Sequence, residues 1–237
     1  MKPPSRRRRI LAFVLILLAM WGTLAYLILP IAWKRYEHRH PQFDEIPGLT
    51  HTGDGIPGDP VNVALVGSKE QLIRIMLAAQ WNPADALSLE SSLKIAVDAV
   101  FKRPDPDAPV SNLFLFGRKE DIAFEQAVGD NPRHRHHVRF WDSHKLDSNG
   151  QPIWVGSAVY DQRVGLSRTT GQITHVTAAN VDTERDYLFT CLEKTGQLAQ
   201  RFAIDDFHKM RSGKNGGGDP WTTDGRLFVG IIAAPAK

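Results

Sequence analysis

Residues 10–33 run ILAFVLILLAMWGTLAYLILPIAW without a single charge. About 20 apolar residues in helical form span the hydrocarbon core of a bilayer, so the run predicts one transmembrane helix. The apolar region of a cleaved signal covers only about 7–15 residues, and the longer run here reads as an uncleaved anchor. Residues 34–58 are rich in Pro, Gly and Asp and show no apolar period. They read as a linker, or as an extended wrap on a domain surface.

A folded pattern begins near residue 59. VNVALVG, residues 61–67, is short, apolar and β-branched and ends in Gly, as a buried strand does. Ser68 followed three residues later by Gln71 forms a capping box, with Leu72, Ile75, Met76 and Ala79 at helical spacing behind it. A second helix is predicted over residues 87–101, where Leu89, Leu93, Ala96, Val97 and Val100 share a face. It ends at RPDPDAP, since prolines cannot continue a helix. VSNLFLFG is a strand, whereas RKEDIAFEQAVG alternates weakly and fits either strand or helix. HHVRFWDS, PIWVGSAVYD and RLFVGIIAAP read as strands, the first two joined as a hairpin through SNGQ. In residues 171–196 a short strand precedes a helix capped by Asn180, with Asp182 and Glu184 at its positive end and Gly196 just past its last turn. This order predicts an α+β domain over residues 59–237, built on a mixed or largely antiparallel sheet with about three packed helices.

Charge assigns the two sides of the membrane. Lys2 and Arg6 to Arg9 precede the apolar run, against Lys34, Arg35 and Arg39 after it, and excess Lys and Arg mark the cytoplasmic side. Residues 1–9 are expected to be a basic cytoplasmic tail and the domain to lie outside the cytoplasm. The net charge of +3 then takes on a different meaning. Residues 1–35 hold seven of the 29 Lys and Arg and none of the 26 acids, which leaves 22 basic against 26 acidic residues beyond them, a net of −4. The basicity belongs to the anchor, and a nucleic-acid partner, which needs basic surface to displace counterions, is not expected. A single cysteine, Cys191, excludes an internal disulfide framework.

The densest candidate chemistry is NPRHRHHVRFW, residues 131–141. As a strand it places His136, Val138 and Phe140 on one face and His137, Arg139 and Trp141 on the other. Adjacent histidines therefore diverge, and Arg133, Arg135 and Arg139 would oppose a divalent ion, so neither a metal nor any other cofactor is expected. Two readings stay open: recognition of an anion, or a polar strand face whose arginines pair with carboxylates. His175, Asp182, Glu184, Arg185 and Asp186 near a helix start, with Asp161 near a strand end, could complete a hydrolytic pocket or form a buried ion-pair network. SGKNGGGDP, residues 212–220, reads as a flexible loop: His208 stands where a phosphate loop needs its first Gly, and Asn215 where it needs Ser or Thr.

The strings DPVNVALVGS, APVSNLFLFGRKEDIAFEQAVG, RHRHHVRFW, GQPIWVGSAVYDQ and ITHVTAANVDTERDYL, in this order over residues 59–198, resemble the LssY C-terminal domain family, named for a component ascribed to type I secretion. The matching pattern takes in Gly117, Arg118 and Asp121, the run from Arg135 to Trp141, Trp154 to Gly156 with Asp161, and His175 to Asp182 with Arg185. The resemblance implies membrane association and a tie to the bacterial cell envelope or secretion. It carries no established activity. Longer relatives bear membrane-embedded phosphatase-like or transport-like segments, from which this chain departs in having one anchor. The expectation is a single-pass protein of the bacterial inner membrane with a periplasmic domain. That domain would bind an anionic envelope ligand or a membrane protein partner through Arg118, His136, Arg139, Trp141 and Arg185. The alternative is a hydrolase with His137 or His175 as base, oriented by Asp161 or Asp182.

Overall fold

The computed structural model describes residues 6–31, 41–84, 112–129, 134–169, 171 and 173–234. The chain divides into two compact units, Met1–Glu45 and Ile46–Lys237. In the first, α1 (Arg6–Thr23) continues through a π-helical turn, Leu24–Ile28, in which the backbone bonds reach one residue further than in an α-helix. Ala12–Ile31, 20 residues with none buried, is long and apolar enough to cross a membrane.

The second unit is an α+β domain. In chain order its elements are β1 (Leu49–Thr52), β2 (Pro57–Pro60), β3 (Val63–Val66), α2 (Lys69–Ala78), β4 (Asn82–Pro83), β5 (Leu113–Leu115), β6 (Arg118–Lys119) and β7 (Ile122–Ala127). Then follow β8 (Arg135–Leu146), β9 (Pro152–Leu166), β10 (Ile173–Thr177), α3 (Val181–Lys194), β11 (Leu198–Ile204), β12 (Ser212–Lys214), β13 (Pro220–Thr222) and β14 (Leu227–Ile232). The large sheet runs β11-β14-β3-β9-β8-β7-β4, with β10 added to β9; a smaller sheet runs β2-β1-β5-β6, and β12 pairs β13. Among the described residues β14 and β3 are parallel and the other ladders of the large sheet antiparallel.

Local chemistry accounts for these elements. The Ser68 hydroxyl accepts from the Gln71 N–H, and Gln71 Oε1 accepts from the Ser68 N–H, so the expected capping box starts α2. Asn180 accepts from the Asp182 N–H at the start of α3, and Gly196 at φ +67° follows its last turn. The ambiguous stretch after Gly117 resolves into strands. Phe116 and Gly117 both hold positive φ, the conformation of a two-residue primed turn, and β6 folds straight back on β5. Alternation then buries Ile122 and Phe124. The predicted helix over 87–101 lies outside the described residues. Residues 49–52 and 57–60, all but the last two in the stretch expected as linker or wrap, pair as β1 and β2, with the Thr50 hydroxyl donating to the Asp59 carbonyl. Strands of only four residues, LTHT and PGDP, carry no apolar alternation to announce them.

One face of the large sheet packs against both helices. Leu65, Val138, Phe140 and Trp154 from the sheet meet Met76 of α2 and Phe189 of α3 in one buried cluster, with Cys191 half-buried at its edge. Gly156 on β9 leaves no room for a side chain beside β8: a Cβ there would fall 2.7 Å from Phe140 Cδ1 and 2.8 Å from the Arg139 carbonyl oxygen. Gly156→Ala is therefore expected to destabilise the domain by about 1–3 kcal/mol, as overpacking does. A lower urea midpoint at unchanged slope would show it, and an unchanged midpoint would refute it.

Candidate functional site

The opposite face of the large sheet carries charged side chains among buried apolar ones. Alternation along β8 sends Arg135, His137, Arg139 and Trp141 to this side, and antiparallel register sets Arg135 across from Asp161, His137 from Val159 and Arg139 from Ser157 on β9. Together with β1, β2, β5, β10 and the β12–β13 turn, this face walls a pocket of about 400 Å³, lined among others by Thr52, Asp59, Arg139, Asp161, His175 and Asn215.

Arg135 ties four strands together beside it. Its Nε donates to Asp161 Oδ2 at 2.9 Å, Nη1 to Glu125 Oε2 at 2.9 Å, and Nη2 to His175 Nε2 at 3.1 Å. An arginine only donates, so His175 Nε2 must be the bare nitrogen and the ring proton sits on Nδ1. That buried Nδ1–H faces Asp161 Oδ2 at 3.6 Å, beyond hydrogen-bond length, and finds no acceptor among the described residues. Burial lowers the imidazole's pKa, against the opposing pull of Asp161.

Arg139 is buried in the same wall, with Nη1 3.9 Å from Asp59 Oδ2 and Nε 3.9 Å from Glu120 Oε1. Asp59 Oδ1 accepts from Asn215 Nδ2 at 3.1 Å. Burial pushes the Asp59 carboxyl up, although Arg139 and Asn215 pull the other way. Asn215 is itself fixed on both sides. Its Oδ1 accepts from the Gly217 and Asp219 N–H groups, while Nδ2 also reaches Thr177 Oγ1. The stretch expected as a flexible loop is thus an ordered hairpin, because an Asn among glycines can bond its own backbone through a tight turn. Gly216 has to be small: a Cβ would lie 2.4 Å from Thr52 Cγ2 across the pocket wall.

Of the residues singled out in the sequence, His175, Asp161 and Arg139 meet at the pocket. The others are placed elsewhere. His137 lies on the same face, buried between Arg135 and Arg139 and outside the lining. Burial, then Arg139, Arg135 and His175, hold its imidazole well below the usual histidine range. Asp182 accepts from Arg185, from the Thr223 hydroxyl and from the Asp224 N–H, holding the start of α3 to the β13–β14 connection. Arg185 binds the carboxylates of Asp182, Asp186 and Asp224 and lies 3.9 Å over the Phe228 ring. His136 is on the helix-packed face, bonded to Glu184 at 2.8 Å and stacked on Tyr187 at 3.9 Å. Arg118 binds Asp121 and the Asp142 carbonyl, and the buried Trp141 indole donates to the Arg118 carbonyl. Arg118, His136, Trp141, Arg185 and Asp182, expected at the site, bond within the fold and do not line the pocket. Asp59 and Asn215 were not singled out as site residues; Asn215 in its Gly-rich setting carried a turn signal, and Asp59 carried none.

Fold and site together define an α+β domain with a walled, charged pocket on the sheet face opposite its helices. The chain belongs to the LssY C-terminus family, whose model matches residues 43–227. No curated protein and no solved structure matches the chain. Among the described residues no group of three or more His, Cys, Asp or Glu is arranged to hold a metal ion.

Burial sets a pH dependence. His137, His175 and His208 are all held below their ordinary value by burial, so below about 6.5 the unfolded chain takes up protons that the folded chain refuses. Stability must fall as pH drops through that value. Asp59 and Glu184, whose carboxyls burial pushes up, act with the opposite sign nearer the carboxylate range. His137→Gln is expected to flatten the fall between about pH 7 and about pH 5 by up to about 1.4 kcal/mol per pH unit. Denaturant titrations across that range measure it, and an equally steep fall in the variant would contradict it.

Proposed function

We propose that this protein is a single-pass, membrane-tethered binding domain, with residues 1–9 in the cytoplasm, residues 10–33 across the bacterial inner membrane and the domain in the periplasm. Its pocket would receive the anionic group of a small envelope ligand on Arg139 and His175. The observation that carries this reading is the His175 Nδ1–H, a buried donor on a residue that lines the pocket, beside a buried guanidinium and without an acceptor among the described residues. A buried polar group left unpaired costs about 1–3 kcal/mol, and a ligand oxygen in the pocket would remove that cost. The pocket volume falls within the range of small-molecule sites, about 300–1,000 Å³. The tether rests on the apolar helix and the orientation on the basic residues before it.

Hydrolysis finds less support. A general base needs a free lone pair, and the lone pair of His175 already accepts from Arg135. His137 lies outside the lining, and Asp182 holds α3.

The test is thermal unfolding of the full chain in detergent micelles, with glycerol phosphate or short-chain phosphatidic acid. A ligand that binds only the folded state, at about 100 times its Kd, adds about 2.7 kcal/mol, a rise of several degrees for a domain this size. Arg139→Gln is expected to abolish the rise. An equal rise in that variant would move the site elsewhere, and no rise in the parent protein would favour a protein partner.

A further inference from the structure

The charges of the pocket wall do not suit a simple anion. Besides Arg139, the lining holds three carboxylates, those of Asp54, Asp59 and Asp161. Asp161 is matched by Arg135 at 2.9 Å, and Asp54 is exposed at the rim. Asp59 is neither exposed nor matched so closely: it is buried, one oxygen takes the Asn215 amide, and the other faces Arg139 Nη1 at 3.9 Å. A phosphate or carboxylate seated on Arg139 would lie beside this second oxygen and meet like charge in a poorly screened place. A ligand that also carried a cation would meet opposite charge at both points.

We propose that the ligand is a zwitterion, with an anionic oxygen group held by Arg139 and the His175 Nδ1–H and a primary ammonium, one short spacer away, held by Asp59. This rests on the reading of the pocket as a ligand site and names the chemistry it selects. The arrangement is that of paired charges used as a ruler: Asp59 and Arg139 sit side by side on neighbouring walls, 3.9 Å apart, so a ligand with its two charges equally close matches the spacing of both. The turn at Asn215 sets the distance, because the amide that bonds Asp59 is locked by the Gly217 and Asp219 N–H groups. Two sources share this chemistry, the phosphoethanolamine headgroup of a lipid and a free amino acid.

The experiment is isothermal titration of the full chain in detergent micelles with O-phosphoethanolamine and with glycine. Each is compared with its single-charge halves: glycerol phosphate and acetate as the anions, ethanolamine as the cation. At least one zwitterion is expected to bind about tenfold or more tightly than either of its halves, and which one binds identifies the source. Asp59→Asn keeps the Asn215 partner and the shape, and should erase that advantage by weakening the zwitterion while sparing the anion. Arg139→Gln should weaken both. An anion that binds the parent protein as tightly as its zwitterion would overturn this proposal and leave the anion site standing. Absence of binding by every probe would overturn both. The comparison among ligands on the parent protein needs no variant to fold.

Discussion

The pocket depends on Arg135. Its three nitrogens reach Glu125 on β7, Asp161 on β9 and His175 on β10, while its backbone lies in β8. One planar fork thereby joins four neighbouring strands at the edge of a cavity. Buried charges are tolerable only when paired and hydrogen-bonded, and breaking such a pair by removing one partner costs about 3–5 kcal/mol because the other charge is stranded. The hub does more than balance charge. By donating to His175 it fixes the tautomer of that ring, and by holding Asp161 it leaves the carboxylate too far from Nδ1 to satisfy it. The unsatisfied Nδ1–H of His175 is thus a consequence of how completely Arg135 is satisfied.

This is affordable because the sheet separates two tasks. The face toward α2 and α3 is apolar and closes the core, and the opposite face carries Arg135, His137 and Arg139 under the small sheet. Period-two alternation along β8 assigns each side chain to one face, and a slip of one residue would exchange them all. Register is protected by local features that permit no slip. Gly156 allows the backbone of β9 to pass Phe140, and Asp147 closes the β8–β9 hairpin by accepting from the Asn149 and Gln151 N–H groups.

What was legible in the sequence was mostly what neighbours along the chain decide. The capping box at Ser68, the cap at Asn180, the glycine after α3 and the two faces of β8 all follow from residues within a few positions of one another. What was not legible depends on partners far away. Arg135, Arg139 and Arg185 look alike in sequence, yet Arg185 bonds Asp224 39 positions away and Arg135 bonds partners 10 to 40 residues away. Asp59 enters the pocket on β2, a strand too short and too rich in Pro to show a period, and it meets Asn215 across 156 positions. No spacing rule connects them.

The same long-range pairing bears on the choice between binding and catalysis. His, Asp and Arg do converge in one pocket, the observation that ordinarily raises a hydrolytic reading. In a working acid–base pair, however, the carboxylate holds one ring nitrogen so that the other is free toward the substrate. In this pocket the roles are inverted: the nitrogen that should be free accepts from Arg135, and the nitrogen that faces the carboxylate is 3.6 Å from it. Catalysis through His175 would first have to break the bond to the arginine on which the strands depend. A donor held in place at that cost to the fold suits a site that offers a proton to a ligand oxygen and keeps it.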